Sequence, residues 1–315
     1  MDTNKPIIDH IRGFLEFLDI ERGLAVKSQQ TYSRFLGAFE RWLEKNNLER
    51  LSPGELTEEH IWKYRVDLSR HLNHKTKEPL KRSTQNYYLI ALRNLLKYFS
   101  DRNIPSLGAE KIKLAKFKAD ERRVKFLTLE QVKRLLDAPD TKRISGLRNQ
   151  ALLETLFSTG LRVAELAGLD RDQIKITSEV KDMEVVIIGK GNRPRPVYFS
   201  PRAIKSLREY LASRKDKEKA LFINYKGPKT AQKRLSVRSI EEIVKKSALL
   251  AGIPTFTTPH TLRHSFATDL LMQGVDLREV QEFLGHKNIG TTQIYAHVTS
   301  KRLRDTHRKF HSLKE

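Results

Sequence analysis

The sequence predicts a mainly α-helical protein with one small β-sheet, divided into two domains. Apolar residues recur three and four positions apart through the first hundred residues, which is the pattern of amphipathic helices. A single stretch, "DMEVVIIGKGNRPRPVYFS", has the pattern of two strands around a tight turn. The 315 residues also exceed one ordinary domain of roughly 100–200 residues. We predict a helical domain over 1–104, a basic linker over 105–125 and a mixed α+β domain over 126–315.

The composition narrows the class of partner and the compartment. The absence of cysteine excludes disulfides, thiolate catalysis and cysteine-based zinc sites. A net charge of +22 favours a polyanionic partner. A membrane surface is the competing partner, but the positive charge is spread over the whole chain, which favours nucleic acid. No apolar run is long enough to span a bilayer and no leader pattern begins the chain, so we predict a cytoplasmic protein without a membrane partner.

Four helices are predicted in the first domain. The segments "KPIIDHIRGFLEFLDIERG" and "KSQQTYSRFLGAFERWLEKNN" give the first two, and Gly23 is the expected stop between them. A third begins at Thr57 and a fourth at about Ser83. Helices of this length form a compact bundle.

The polar faces of these helices combine Lys and Arg with Ser, Gln and Asn. This mixture is typical of side chains that contact phosphates and base edges of DNA, although a charged face is also the ordinary solvated face of a helix. With the global charge in view, we predict DNA contact. The residues concerned are Lys27, Ser28, Gln29, Arg34, Lys81, Arg82, Ser83, Gln85, Asn86 and Arg93.

In the second domain, helices surround one hairpin. Thr128 and Gln131 form a capping box that opens the first helix, and Gly160 ends the second, over about 147–157. A new helix follows "STGLR", and the hairpin comes after it. Further helices are predicted at 201–213, 236–250, 260–273 and 277–284, with a last pair at 289–297 and 300–311.

The segment "TPHTLRHSFATDLLMQG" places His260 and Arg263 on one face near the start of a helix. Helix N-termini attract anions, and a guanidinium beside an imidazole there suits a phosphate or oxyanion. The alternative is a surface basic helix. His260 and His264 are spaced for a metal, but the HExxH pattern fails and the cationic Arg263 would be unwelcome beside a metal ion, so a metal site is disfavoured.

Arg162 follows the helix-ending Gly160 and stands at the mouth of the next helix, where backbone N–H groups are free. Glu165, one turn on, could orient Arg162 or a histidine, or could form an ordinary helical ion pair. Lys190 lies at the hairpin tip, where it could reach a substrate or simply face solvent. The GxG around it is not a dinucleotide loop, because a strand follows the glycines.

The segment "FLGHKNIGTTQIYAHVT" supplies His286 after the helix-ending Gly285, and Tyr295 nine residues later. Taken alone, Tyr295 is an ordinary packing residue. Together with two arginines, two histidines and a lysine, its hydroxyl could attack a phosphate and form a covalent phosphotyrosine. No carboxylate cluster is present to hold the two cations of a metal-dependent nuclease.

The blocks "STGLRVAEL", "PHTLRHSFAT" and "FLGHKNIGTTQIYAHV", in this order, resemble the signature motifs of the tyrosine recombinase (phage integrase) family, and among its members the Xer recombinases. The resemblance covers essentially the whole chain. It implies an N-terminal four-helix core-binding (SAM-like) domain and an α+β tyrosine recombinase catalytic domain. Gly290 stands where serine is commoner and the linker is long and basic, so chromosome dimer resolution and mobile-element integration or excision both stay open.

The resemblance also implies roles around the scissile phosphate. Arg162 and Arg263 would clamp it, His260 would act in acid–base exchange, and Glu165 would support these groups.

For the remaining groups, the resemblance implies that Lys190 protonates the leaving 5′ oxygen and that His286 donates a hydrogen bond to the phosphate. Tyr295 would form the 3′-phosphotyrosyl link. One phosphodiester is exchanged for another, so no cofactor, metal or ATP is expected.

The implied partner is a double-stranded DNA core site, bound by four protomers on two duplexes, either as a homotetramer or with a second recombinase. The stretch from Lys301 to Leu313 would dock on a neighbouring subunit, unless it is a frayed basic tail. Two other functions remain possible. A type IB topoisomerase shares the chemistry, and a DNA-binding regulator would need no chemistry.

Overall fold

The structure is a computed structural model, and it describes residues 5–73, 77–115, 125–176, 183–189, 194–228 and 233–285. The chain divides into two compact units, Met1–Lys118 and Ala119–Glu315. This division falls inside the segment that we predicted to join the two domains. In the described ranges, no helix combines the length and the apolar character needed to cross a membrane.

Unit 1 is a bundle of four helices around an aromatic and aliphatic core. The helices are α1 (Ile7–Ile20), α2 (Val26–Lys45), α3 (Glu58–Arg70) and α4 (Arg82–Asp101). Phe14, Leu36, Phe39, Leu92 and Phe99 are almost completely buried, and each such side chain contributes about 1.5–3 kcal/mol by leaving water. The predicted four-helix domain is therefore confirmed.

Residues beyond α4 continue to pack on this core. Ile104 and Ile112 are buried, and Ala109–Lys111 forms a single 3₁₀ turn. The side chain of Asn86 donates to the carbonyl of Ala115 at 3.0 Å and accepts from its N–H at 3.0 Å. The first half of the segment predicted as a linker is thus attached to the bundle as far as residue 115.

Unit 2 has one hairpin among seven α-helices in its described residues. The elements are α5 (Leu129–Asp137), α6 (Ile144–Thr159), α7 (Val163–Gly168), β1 (Met183–Ile188), β2 (Pro194–Phe199), α8 (Pro201–Ser213), α9 (Val237–Leu250), α10 (Pro259–Gln273) and α11 (Leu277–Leu284). The fold class, mainly α with a small sheet, is confirmed. The helices predicted at 289–297 and 300–311 lie outside the described residues.

The hairpin follows the predicted strand, turn and strand order. Its strands are antiparallel, and Met183 pairs with Phe199 while Ile187 pairs with Arg195. Side chains alternate between the two faces of a strand, so Val197 and Phe199 face the core of unit 2 and Arg195 occupies the same inward series. A guanidinium is therefore placed on the core side of β2.

Glycines end the three helices that meet near the candidate site. Gly160 ends α6, Gly274 ends α10 and Gly285 ends α11, and all three have positive φ values of 60°, 111° and 61°. Only glycine adopts this conformation without strain. The opening of α5 is also confirmed, because the Thr128 side chain accepts from Gln131 N–H and the Gln131 side chain accepts from Thr128 N–H.

Candidate active site

Arg162 is the residue that precedes the first turn of α7, and Glu165 is fixed to it. The Glu165 carboxylate accepts from the backbone N–H of Arg162 at 2.8 Å and from its guanidinium at 2.9 Å. Arg162 also donates to the carbonyl oxygen of Gly285 at 3.2 Å. Its side chain keeps 27% of its exposure, so the guanidinium stands at the surface while being held in place.

A second arginine, Arg195 on β2, holds the other side of the same carboxylate. Its two terminal nitrogens donate to the Glu165 oxygens at 3.1 and 2.9 Å, the paired geometry that makes arginine–carboxylate contacts strong. The Arg195 and Glu165 side chains are only 10% and 8% exposed. Glu165 is therefore more than an ordinary helical ion pair, because it connects α7 to the hairpin.

Arg263 is buried rather than part of a basic surface, with 3% exposure. Its guanidinium donates to the carbonyl oxygen of Gly160 at 2.5 Å and to that of Leu284 at 2.6 Å. The alternative of a surface basic helix is thus excluded for Arg263. This side chain joins the last residues of α6 and α11 to the first turns of α10.

Three guanidinium groups meet at the C-terminal end of α11. Arg195 donates to the carbonyl of Phe283 at 3.4 Å, Arg263 to that of Leu284 and Arg162 to that of Gly285. A helix C-terminus carries unpaired carbonyls and a partial negative charge, which explains why cations collect there. Glu165 is the one carboxylate that hydrogen-bonds these guanidiniums in the part of the chain that the structure describes, and its single negative charge leaves an excess positive charge suited to an anion.

Glu165 remains ionised in this setting. Burial acts to raise its pKa, but the hydrogen bonds and charges of Arg195 and Arg162 outweigh burial and hold the pKa below its ordinary value. Each of its oxygens accepts two hydrogen bonds. A fully bonded carboxylate of this kind fixes its partners and is poorly suited to exchanging protons.

His260, at the start of α10, is exposed and lies in the field of the same arginines. Partial burial of its ring, and then the charges of Arg263 and Arg162, lower its pKa below the ordinary value of 6.5. The neighbouring His264 ring lies with its centroid 6.4 Å from that of His260. Burial, His260 and Arg263 lower the pKa of His264 to about 4. Both rings are therefore neutral at pH 7, and the exposed one can accept a proton.

The structure brings together four of the seven residues predicted for the catalytic domain. Arg162, Glu165 and Arg263 meet at the ends of α6, α7 and α11, and His260 lies within electrostatic reach of both arginines. Lys190, His286 and Tyr295 lie outside the described residues.

Sequence reasoning missed Arg195. One signal could have found it, because alternation along "PRPVYF" places Arg195 in the inward series of Val197 and Phe199, where an unexplained charge indicates a specific partner.

In unit 1, the residues predicted to contact DNA differ in exposure and in their internal contacts. Six are exposed on α2 or at the start of α4, namely Lys27, Ser28, Arg34, Lys81, Arg82 and Ser83. Arg93 is half-buried, and three amide side chains make internal bonds. Gln29 donates to Asp19 and to the Leu24 carbonyl, both at 2.7 Å, Gln85 donates to the Leu80 carbonyl at 2.7 Å, and Asn86 is buried. The amides therefore have structural partners within the bundle.

The chain matches two family models that together span most of it. Residues 125–302 match the model of the phage integrase family, and residues 11–103 match the phage integrase N-terminal SAM-like domain. The chain therefore belongs to the phage integrase family. Membership makes it a tyrosine recombinase, an enzyme that cleaves and rejoins DNA strands, and it confirms the resemblance drawn from the three motifs.

Named relatives match over nearly the full chain. It is 36% identical to tyrosine recombinase XerD of Listeria monocytogenes over 96% of this chain and 98% of the relative. It is 34% identical to tyrosine recombinase XerC of Pelotomaculum thermopropionicum over 96% of this chain and 97% of the relative. A solved structure of the site-specific recombinase XerH, bound to a palindromic difH substrate after cleavage, matches with a TM-score of 0.71 and 25% identity over 90% of this chain and 80% of that one.

Proposed function

We propose that this protein cleaves and rejoins duplex DNA at a specific site through a 3′-phosphotyrosyl intermediate on Tyr295, in the manner of an Xer recombinase. Arg162 and Arg263 clamp the scissile phosphate, with Glu165 holding Arg162 in place. The observation that carries the proposal is the meeting of these two guanidiniums at the carbonyls of Leu284 and Gly285. The next residue in the chain is His286, and Tyr295 follows nine residues later.

The arginines supply the electrostatic part of the reaction. Phosphoryl transfer needs donors already fixed where negative charge develops, because groups that must reorganise lose much of their effect. Arg162 is held by Glu165 and by Gly285 yet remains partly exposed. Of the five N–H groups of its guanidinium, the described contacts use two, so an incoming phosphate finds further donors in a fixed direction.

The proton transfers complete the exchange. The Tyr295 oxygen bonds to phosphorus, the bond to the 5′ oxygen breaks, and the tyrosine proton passes to His260, whose lowered pKa keeps it neutral at pH 7. Lys190 gives a proton to the departing 5′ oxygen, and His286 donates a hydrogen bond to the phosphate. Attack by a 5′ hydroxyl of another strand reverses these steps. The energy of the phosphodiester is conserved, so no ATP or metal is required.

Double-stranded DNA is the partner, and the exposed residues of unit 1 contact it. A net charge of +22 supports this assignment, as does the similarity to a recombinase whose structure holds its difH substrate. Exchange between two duplexes requires four protomers, either all of this chain or with a second recombinase. The stretch from Lys301 to Leu313 docks on the neighbouring subunit in this assembly, and the protein acts in the cytoplasm.

The proposal is tested by covalent trapping. Duplexes recovered from genomic DNA by binding to the protein are rebuilt with a nick beside the cleavage point, so that the cleaved end is lost and the covalent complex accumulates. We expect a denaturant-resistant protein–DNA adduct that forms equally well in EDTA. A strict requirement for added Mg²⁺, or the absence of any adduct, contradicts the proposal.

The sequences of the recovered duplexes test the biological role. One fixed chromosomal site supports chromosome dimer resolution, and the ends of a mobile element support integration or excision. A topoisomerase would instead relax a single supercoiled duplex without assembling on paired sites. A non-catalytic regulator would give no adduct.

A further inference from the structure

We propose that Arg195 is a positioning residue for strand cleavage, which holds Glu165 and Arg162 in the orientation that meets the phosphate and anchors the last turn of α11. The inference rests on the proposed function. Arg195 does not touch the phosphate in this scheme, and it acts through the groups that do.

Arg195 completes the set of hydrogen bonds to Glu165. Glu165 Oε1 accepts from the guanidiniums of Arg162 and Arg195, at 2.9 and 3.1 Å. Glu165 Oε2 accepts from the Arg162 backbone and from Arg195, at 2.8 and 2.9 Å. Without Arg195, each oxygen loses one partner and the carboxylate can rotate about its last bonds. The Arg162 guanidinium, bonded to that carboxylate, would rotate with it.

The same side chain fixes the end of α11. Its Nε donates to the Phe283 carbonyl at 3.4 Å. A Cβ added to Gly285 would lie 2.7 Å from Arg195 Cδ and 2.9 Å from Nε, so the backbone and the guanidinium stem are in direct contact. Gly285 is the last described residue before His286. Arg195 therefore restrains the point from which the segment carrying His286 and Tyr295 departs.

The position of Arg195 on β2 argues against a simple packing role. Its inward series is otherwise apolar, and its cross-strand partner is the buried Ile187. Burying a guanidinium is costly unless its donors are paired, and an aliphatic residue would fill this place more cheaply. Arg195 also follows Lys190 by five residues in the chain. Arg195 thus connects three places in unit 2. These are the hairpin whose two strands flank Lys190 in the chain, the Arg162–Glu165 pair at the start of α7, and the end of α11.

Replacing Arg195 should make the ion pair of Glu165 with Arg162 sensitive to pH, which the loss of packing alone would not do. The charged groups that face Glu165 are Arg162 from α7 and Arg195 from β2, while α10 contributes Arg263 and His260 to the surrounding cluster. Burial already acts to raise the pKa of Glu165, and Arg195 is the strongest opposing influence. A variant without Arg195 leaves burial opposed by Arg162 alone. Glu165 then gains a proton at a higher pH, and its ion pair with Arg162 breaks in mild acid.

The test is single-turnover trapping of the full-length protein on the nicked duplex, at saturating protein, between about pH 5.5 and 8. The variants are Arg195→Met, which keeps the aliphatic length without the charge, and Arg195→Lys. The matched control is Arg234→Met. Arg234 donates to the Ala167 and Leu169 carbonyls and pairs with Asp170 at the other end of α7, so its replacement removes comparable structural bonds away from Glu165.

We expect Arg195→Met to bind the duplex within about twofold of the unaltered protein and to cleave roughly ten- to a hundredfold more slowly at pH 8. The deficit should grow as the pH falls from 8 towards the lower end of the range, because losing Arg195 raises the pKa of Glu165. Arg195→Lys should recover only part of the rate, since an ammonium cannot pair with both oxygens in plane. The double variant with Glu165→Gln and Arg195→Met should cleave faster than the product of the two single decreases in rate predicts, because both substitutions break the same contact.

Two results overturn the inference. The first is that Arg195→Met cleaves at an unaltered rate with an unaltered pH profile. The second is that Arg195→Met cleaves more slowly without any pH effect, and that Arg234→Met shows the same fall in rate at an equal decrease in thermal stability. A failure of the unaltered protein to form any adduct is a separate outcome. It contradicts the proposed function itself, and this inference with it.

Discussion

The guanidinium of Arg263 lies 2.5 Å from the carbonyl oxygen of Gly160, although the two residues are more than a hundred positions apart. Gly160 has a φ of 60°, and its α-carbon faces the ring of Phe266, one turn beyond Arg263 on α10. The turn that ends α6 is thus shaped to bring a carbonyl to the arginine. Because Arg162 follows two residues later, the same turn sets the separation of the two proposed phosphate clamps.

Gly160→Ala should therefore lower both stability and activity. The new methyl group would lie 2.5 Å from Phe266 Cδ1, so the ring or the turn must move. We expect a decrease of about 2–4 kcal/mol in the free energy of unfolding, from the left-handed backbone and from the overpacking together. Cleavage in trapped complexes should fall at least about tenfold, because Arg263 loses its acceptor geometry.

Gly252→Ala is the matched control. Gly252 has the same φ of 60°, but a Cβ there meets nothing within 4 Å. It should cost only the backbone strain, about 1–2 kcal/mol, and leave cleavage of bound DNA unaltered. If Gly160→Ala and Gly252→Ala lowered stability and cleavage rate by equal amounts, the close contact with Phe266 would not be what fixes the shape of the Gly160 turn.

Replacing Arg162 and replacing Arg263 should slow cleavage to a similar extent but should lower the free energy of unfolding by different amounts. Removing either clamp should slow cleavage by about a hundredfold or more. Arg263→Ala leaves two carbonyl oxygens at helix ends without their donor inside the protein, so unfolding should become easier by about 2–4 kcal/mol. Arg162 is partly exposed, and Glu165 keeps Arg195 when Arg162 is replaced. Arg162→Ala should then cost about 1 kcal/mol or less. Urea unfolding measures the change in stability, and covalent trapping measures the rate of cleavage. Near-normal cleavage in either variant would contradict the proposal that these arginines clamp the phosphate.

The pH dependence of stability should report on His264. Its folded pKa is lowered from 6.5 to about 4, so the unfolded chain binds a proton first as the pH falls. The stabilisation is complete above about pH 6.5 and is lost progressively towards pH 4. Because the ring keeps some exposure, we expect His264 to account for about 1 kcal/mol between pH 7.5 and pH 5.

His264→Gln should remove that part of the acid sensitivity, measured as urea midpoints at the two pH values. His260→Gln is the control, because its pKa is lowered in the same direction but the residue is more exposed than His264, so its contribution should be smaller. The pKa of Glu165 is lowered from 4.5, so its contribution is lost only below about pH 4.5, outside this window. A His264→Gln protein as acid-sensitive as the parent would contradict the burial of a neutral ring.

The exposed cations of unit 1 should account for the salt dependence of DNA binding. Alanine at Lys27, Arg34 or Lys81 should weaken binding and reduce the slope of log K against log salt by about 0.9 for each phosphate that is no longer neutralised. Arg12→Ala, on the exposed face of α1, is the charge-matched control and should leave the slope unaltered. Gln29→Ala should instead reduce stability, because its amide bonds to Asp19 and to the Leu24 carbonyl. A slope that is the same in all the cation variants would remove this face from the DNA interface.

Local signals in the sequence predicted the helices and the hairpin well. Gly160 and Gly285 end helices where the sequence predicted a stop, and the Thr128 capping box opens α5. These features depend on residues close together in the chain, so periodicity and caps suffice to identify them. The two arginines that we propose as phosphate clamps, Arg162 and Arg263, were identified from the sequence because their motifs are short and contiguous.

Contacts between distant segments could not be predicted in this way. Arg195 meets Glu165 from thirty residues away, and its role depends on a pairing that no local pattern encodes. Residues 105–115 have no sustained apolar face, yet the buried Ile112 and the exchange of hydrogen bonds between Asn86 and Ala115 attach them to the bundle. The isolated bridges of Asp170 with Ala220 and of Ile223 with Arg234 are equally non-local.

The most direct test of the central claim is trapping with Tyr295→Phe, followed by mass spectrometry of the DNA-linked peptide from the unaltered protein. Tyr198→Phe is the control, since Tyr198 is a tyrosine with 48% exposure in the same unit. We expect Tyr295→Phe to bind DNA with nearly unaltered affinity and to form no adduct, Tyr198→Phe to react normally, and the phosphotyrosyl peptide to contain Tyr295. An adduct formed by Tyr295→Phe, or a linked peptide without Tyr295, would contradict the account.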